Sequence, residues 1–179
     1  MQEVLPTAHQ PQDSSPFRDD GDAKEPAARY RVARYRVALV RDGTVPTGWD
    51  RHVRTSGDVA GLLRSEAADL DREVFMTVLL DGRNKVIGLN VVAIGSLTAA
   101  LVHPREVFKA AILANAAAII LAHSHPSGDP TPSAEDLALT TRLCEAGALL
   151  GIRVLDHLVL GHDDAYRSLA DDGQLGSAR

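Results

Sequence analysis

The period of the hydrophobic positions changes several times along the chain, and each change marks an element. In Tyr30-Arg31-Val32-Ala33-Arg34-Tyr35-Arg36-Val37-Ala38-Leu39-Val40, apolar and basic residues alternate. That predicts a half-buried strand with one wet face, ended by the turn Arg41-Asp42-Gly43. Charge on such a face either keeps an edge strand from aggregating or meets an acidic partner. The first is favoured, since no aromatic stacking platform accompanies it. Ser56-Gly57-Asp58-Val59 opens a helix with Val59, Leu62, Leu63 and Ala67 on one face. Asp71 to Leu80 is the next strand; Asp81-Gly82-Arg83-Asn84 turns it, and Lys85 to Ala93 returns as a hairpin partner. Gly95 to Val102 is expected to be a further strand. Pro104-Arg105-Glu106 opens a helix carrying Val107, Phe108, Ala111, Ile112 and Asn115, with His103 ahead of it to cap it or line a cleft.

The apolar run Ala116 to Ala122 follows, as a buried strand or the end of a helix passing into one. A helix from Ser133 runs through Leu137, Leu139, Thr140, Leu143 and Cys144, with Gly147 as the expected stop. Ile152 to Leu160 is a last core strand, ended by Gly161, and Tyr166 to Leu169 a short closing strand or turn. The fold class is α/β, with a mixed, mostly antiparallel sheet flanked by helices. No internal repeat is present.

Chemistry concentrates between His123 and Asp136. Histidines at i and i+2 on an extended backbone point to the same side. Pro126, Gly128, Pro130 and Pro132 exclude regular structure from the loop that follows. Pro132 then suits a first helical position, where its missing N–H has no partner to lose. Ser133 and Asp136 have the spacing of a capping box, with Asp in the Glu/Gln place. A strand end and a helix start thus bring two imidazoles and a carboxylate to one point. Taken singly, each has an ordinary explanation: loop histidines, a capping carboxylate, a capping serine. Together, three such ligands suit a catalytic zinc, which keeps its fourth position open. A structural zinc is closed by four ligands, usually with cysteines, and the chain has one cysteine, Cys144.

Composition narrows this further. The 179 residues with 45% hydrophobic content suffice for one globular domain. The formal charge of −5 does not by itself attract nucleic acid. A single cysteine excludes an internal disulfide and suits an intracellular protein. No apolar run is long enough to span a membrane, and no signal peptide is evident, so cytoplasm is the expected compartment. Residues 1–28 form a polar tail with Pro6, Pro11, Pro16 and Pro26 that is expected to be disordered, with His9 solvated in it. Residues 29–170 form the domain, and residues 171–179 are expected to fray. Neither a phosphate loop nor a G-x-S-x-G elbow occurs.

His123-Ser124-His125, then seven residues, then Ser133-Ala134-Glu135-Asp136 resembles the JAMM motif of the JAB/MPN metalloprotease superfamily, whose fold is cytidine deaminase-like. Val102-His103-Pro104-Arg105-Glu106-Val107-Phe108, His125 to Pro130 and Leu155-Asp156-His157 extend the likeness to its RadC-like branch, over roughly Tyr30 to Leu169. The sequence departs from that branch at Ser124, where asparagine is usual. The resemblance implies a Zn2+ ion on His123, His125 and Asp136, Ser133 near the oxyanion, and a glutamate from an earlier strand as proton shuttle. Glu73 matches that glutamate, with Glu106 as its rival. The implied activity is hydrolysis of a peptide or isopeptide bond in an unidentified peptide or protein. The alternative is an MPN-like binding module, linked to DNA repair or mobile elements and acting through partners. The helix-hairpin-helix region that often precedes the domain in that family is not seen, which weakens the expectation of nucleic-acid contact. His157, beside Asp156, either hydrogen-bonds behind the metal or is a satisfied core histidine.

Overall fold

Seven consecutive buried residues, Val74–Leu80, make β1, the second of five strands ordered β2-β1-β3-β4-β5. The computed structural model describes residues 35–44, 50–67, 72–95 and 102–176, without the side chains of 65–67. Val86–Ile94 is β2, Ala118–Ser124 β3, Arg153–Leu160 β4 and Tyr166–Ser168 β5; the helices are α1 (Ser56–Ala67), α2 (Pro104–Leu113) and α3 (Ala134–Leu150). Among these strands only β3 and β4 pair parallel; β1–β2, β1–β3 and β4–β5 are antiparallel. The sheet is therefore mixed and mostly antiparallel, with helices on both faces, as the JAB/MPN-like resemblance implies.

Because β1 and β3 are buried on both sides, their side chains divide by parity. Val74, Met76, Val78 and Leu80, with Ala118, Ile120 and Ala122, pack against Val59, Leu62 and Leu63 of α1. Phe75 and Leu79, with Ile119 and Leu121, pack against Val107, Phe108 and Ala111 of α2 and Leu143 of α3. The two apolar layers explain why β1 and β3 read as continuous apolar runs rather than alternating ones.

Local chemistry sets the helix ends. Thr55 Oγ1 accepts from Asp58 N–H (3.3 Å) and Asp58 Oδ2 from Thr55 N–H (2.9 Å), a reciprocal pair that starts α1. His103 caps α2, its Nδ1 accepting from Arg105 N–H at 3.2 Å.

Several expectations need correction. Residues 35–40 carry no strand and are exposed, and Tyr30–Arg34 lie outside the described residues; an alternating pattern makes a strand only where a neighbour pairs with it. Pro132 sits before the cap Ser133 rather than inside α3. The helix runs through Gly147 and ends at Gly151, whose φ is 70°. Gly147 serves packing instead: a Cβ there would lie 2.5 Å from Ile152 O and 3.2 Å from the Phe108 ring. The strand expected from Gly95 to Val102 falls on residues 96–101, outside the described residues, as do the polar tail and residues 177–179. Past β5, Asp172 N–H donates to Ser168 O (3.1 Å) and Gln174 N–H to Leu169 O (2.7 Å). Among the described residues, no helix is long and apolar enough to cross a membrane.

Candidate metal centre

The centre lies on the α2/α3 face, where β3 ends. His123 follows Leu121 in parity, so its ring turns to that face; it is 1% exposed and stacks on Phe75 at 6.2 Å between centroids. His125 lies just past the strand but stays in line, its N–H donating to Leu160 O at 2.9 Å. The loop then folds back. Gly128 N–H donates to His125 O (2.9 Å), and Gly128 O accepts from His162 N–H (3.1 Å) on the β4–β5 hairpin. Gly128 has φ +80°, and a Cβ on it would lie 2.5 Å from His162 Nδ1. Only glycine fits that position.

Asp136 comes from the first turn of α3. Ser133 Oγ accepts from Asp136 N–H (3.1 Å), and Asp136 Oδ2 accepts from Ser133 N–H (2.8 Å) and Ser133 Oγ–H (2.7 Å). The capping box thus aims the carboxylate back at the histidines. His123 Nε2 and His125 Nε2 are 2.9 Å apart; Asp136 Oδ1 is 3.3 Å from the first, and Oδ2 is 3.5 Å from the second.

Hydrogen-bond direction decides what those three atoms are. A backbone carbonyl only accepts, so His125 Nδ1 donates to Asp129 O (2.8 Å), and neutral His125 keeps a bare Nε2. On the other ring a longer chain applies. Thr140 Oγ1 donates its single proton to Asp136 O (2.6 Å), so it accepts from His157 Nδ1 (2.5 Å). Burial keeps fully buried His157 well below the ordinary imidazole pKa, hence neutral. Its Nε2 therefore accepts from His123 Nδ1 at 2.9 Å, and His123 Nε2 is bare as well. With those donors on the far side of each ring, His123 Nε2, His125 Nε2 and the Asp136 carboxylate are the atoms that face one another. Asp136 accepts from both Ser133 N–H and Ser133 Oγ–H and so presents itself to the two rings as a carboxylate. With one ligand atom taken from each residue, the three atoms lie within 4.8 Å of one another, and two imidazole nitrogens with a carboxylate oxygen are a donor set that zinc accepts. The donor set fits the metal, and among the described residues His123, His125 and Asp136 form the group able to hold one.

The chain belongs to the RadC-like JAB domain family. That family's model matches residues 53–174. The chain is 58% identical over 119 residues to a UPF0758 protein of Moorella thermoacetica, covering 66% of this chain and 52% of that protein. It is 50% identical over 121 residues to one of Desulforamulus reducens (68% and 53%) and 48% over 128 residues to one of Desulforudis audaxviator (72% and 55%). The chain thus spans about half the length of the curated relatives it matches.

The other residues singled out in the sequence fall as follows. Glu73 precedes β1, partly buried, its carbonyl accepting from Gly95 N–H at 2.8 Å. Two residues on, Phe75 pairs with His123 at the end of the β1–β3 ladder. Glu73 is not part of the three-ligand group. Glu106 sits in the first turn of α2, engaged by Lys109 and Arg105 at the surface, and its pKa is lowered chiefly by the Lys109 hydrogen bond. Cys144 is buried, which pushes its thiol pKa up and leaves it an inert packing residue. Asp156 turns from the centre: it accepts from Ser168 Oγ–H (2.6 Å), Ala170 N–H (2.9 Å) and His157 N–H (2.7 Å).

Thr140 and Asp129 O escaped the sequence reading. Thr140 lies one helical turn after Asp136, a spacing visible in the sequence. His157 reaches His123 only through the register of β3 on β4, where Leu121 pairs with His157.

Proposed function

We propose that this chain is a zinc-dependent hydrolase of peptide or isopeptide bonds. The observation that carries the reading is the convergence of His123 Nε2, His125 Nε2 and the Asp136 carboxylate, turned toward one another within 2.9–3.5 Å. Zinc held there supplies Lewis acidity, and lowers the pKa of a bound water to about 7. Glu73 takes the proton of the attacking water and returns it to the leaving amine. Its place two residues before Phe75, which pairs with His123, supports that role, and the surface ion pairs of Glu106 argue against the rival.

Ser133 donates to the developing oxyanion. For that, its hydroxyl proton leaves Asp136 Oδ2, while the Ser133 N–H bond at 2.8 Å keeps the carboxylate aimed.

Metal analysis of the purified chain, run beside a peptide-library cleavage screen, tests the proposal. One zinc per chain with cleavage is expected. Glu73→Gln keeps the metal and loses turnover; Asp136→Ala loses both. Full activity in the Glu73 variant sinks its role. A chain without stoichiometric zinc belongs to the alternative, a binding module acting through partners.

A further inference from the structure

We propose that His157, anchored by Thr140, is a positioning residue that dictates which nitrogen of His123 carries the proton and so keeps His123 Nε2 free for metal. The inference rests on the zinc reading above. Its starting point is the pair His123 Nε2 and His125 Nε2, 2.9 Å apart. Without metal, two neutral imidazoles at that distance would satisfy each other if one carried its proton on Nε2. Such a self-closed pair would compete with metal for the lone pair.

The chain behind His123 forbids it. The Asp136 carbonyl takes the Thr140 proton, Thr140 Oγ1 takes the proton of His157 Nδ1, and His157 Nε2 takes that of His123 Nδ1. Each group has one proton to give or one lone pair to offer, so the direction set at the carbonyl passes without ambiguity to His123. Reversing it would leave Thr140 Oγ1 and Asp136 O 2.6 Å apart with no proton between them, in a site where His157 and Thr140 are both 0% exposed, a costly outcome. The chain also begins on the residue that supplies the third ligand. α3 therefore presents the Asp136 carboxylate to the metal and, through its own backbone, sets the tautomer of the opposing imidazole. Phe75 holds the geometry, stacked on His123 at 6.2 Å and edge-on to His157 at 5.5 Å.

The test uses the full chain with three variants. Thr140→Val keeps the shape and removes the hydroxyl. His157→Leu removes both ring nitrogens, whereas His157→Gln keeps an acceptor near the place of Nε2. Zinc affinity is measured by chelator competition, and the tautomer of metal-free His123 by nitrogen-15 NMR of the imidazoles in mildly alkaline buffer. Thr140→Val and His157→Leu are expected to bind zinc about 10- to 100-fold more weakly, with His157→Gln closer to wild type. In Thr140→Val the His123 proton should shift to Nε2. Wild-type affinity in both Thr140→Val and His157→Leu overturns the proposal, as does an unshifted tautomer in Thr140→Val. Equal losses in His157→Leu and His157→Gln would make packing the cause and overturn it too. If wild type itself binds no zinc, the zinc reading fails, while the Thr140→Val tautomer still decides whether the chain orders His123.

Discussion

The two faces of the sheet are built from the same strands and do different work. Toward α1, the inward residues of β1 and β3 are apolar up to Ser124 at the end of β3, and the layer ends in Val59, Leu62 and Leu63. Toward α2 and α3, the layer is apolar around Phe108 and Leu143 but turns polar at one end, where Thr77, His123, Thr140 and His157 are all buried. Three of these four are hydrogen-bonded in the chain that reaches the ligands. The contrast shows how a reactive centre is placed in a core without opening it: His123, His157 and Thr140 each find a partner in that chain, and the opposite face carries apolar packing.

Truncation on each face should separate the two roles. Phe75→Ala removes a fully buried ring and is expected to cost about 3–5 kcal/mol of stability. It should also weaken zinc binding, since His123 loses the ring it stacks on. Leu63→Ala on the α1 face is expected to cost about 2–5 kcal/mol and leave zinc affinity unchanged. Urea unfolding paired with zinc titration checks both; weakened zinc binding in Leu63→Ala would erase the distinction between the faces.

A smaller effect is expected at the loop that carries His125. Gly128→Ala forces a side chain onto φ +80° and into the His162 ring, and should cost more than about 1 kcal/mol. Its zinc affinity should fall as well, because the loop positions Asp129 O behind His125. Ser133→Ala removes the cap of α3 and is expected to cost about 1 kcal/mol, read from the thermal midpoint of the metal-free protein.

The smallest effect is a matter of pH. Burial pushes the Asp156 carboxyl up from its ordinary value of 3.8, against hydrogen bonds from Ser168, Ala170 and His157 N–H. The folded state then holds that proton more tightly than the unfolded chain. Ionisation costs stability as pH rises through the raised value, and protonation restores it as pH falls. Wild type should therefore gain on Asp156→Asn between neutral and mildly acidic buffer in paired urea titrations. A gap that moves the other way would mean the ionised form is the better-bound one.

Much of this was legible along the chain because it is local. His123 and His125 share a side through the two-residue period of a strand, and Ser133 and Asp136 meet through the spacing of a helix start. Their convergence follows once a loop of a few residues joins strand to helix. The apolar runs of β1 and β3 likewise reported burial on both faces. The basic stretch before Val40 misled for the complementary reason: its alternation describes what a strand would look like, and residues 35–40 form none.

What the tertiary structure alone decided is pairing across distance. Nothing near His157 in sequence indicates that its Nε2 meets His123 Nδ1, 34 positions away; that depends on β4 lying parallel to β3 in one register. The same holds for Gly147, whose lack of a side chain is read by Ile152 O and Phe108 rather than by the end of the helix. Spacing within one element is set by backbone geometry, which every residue carries with it. Proximity between elements is set by how whole faces pack, and no short stretch of sequence contains that information.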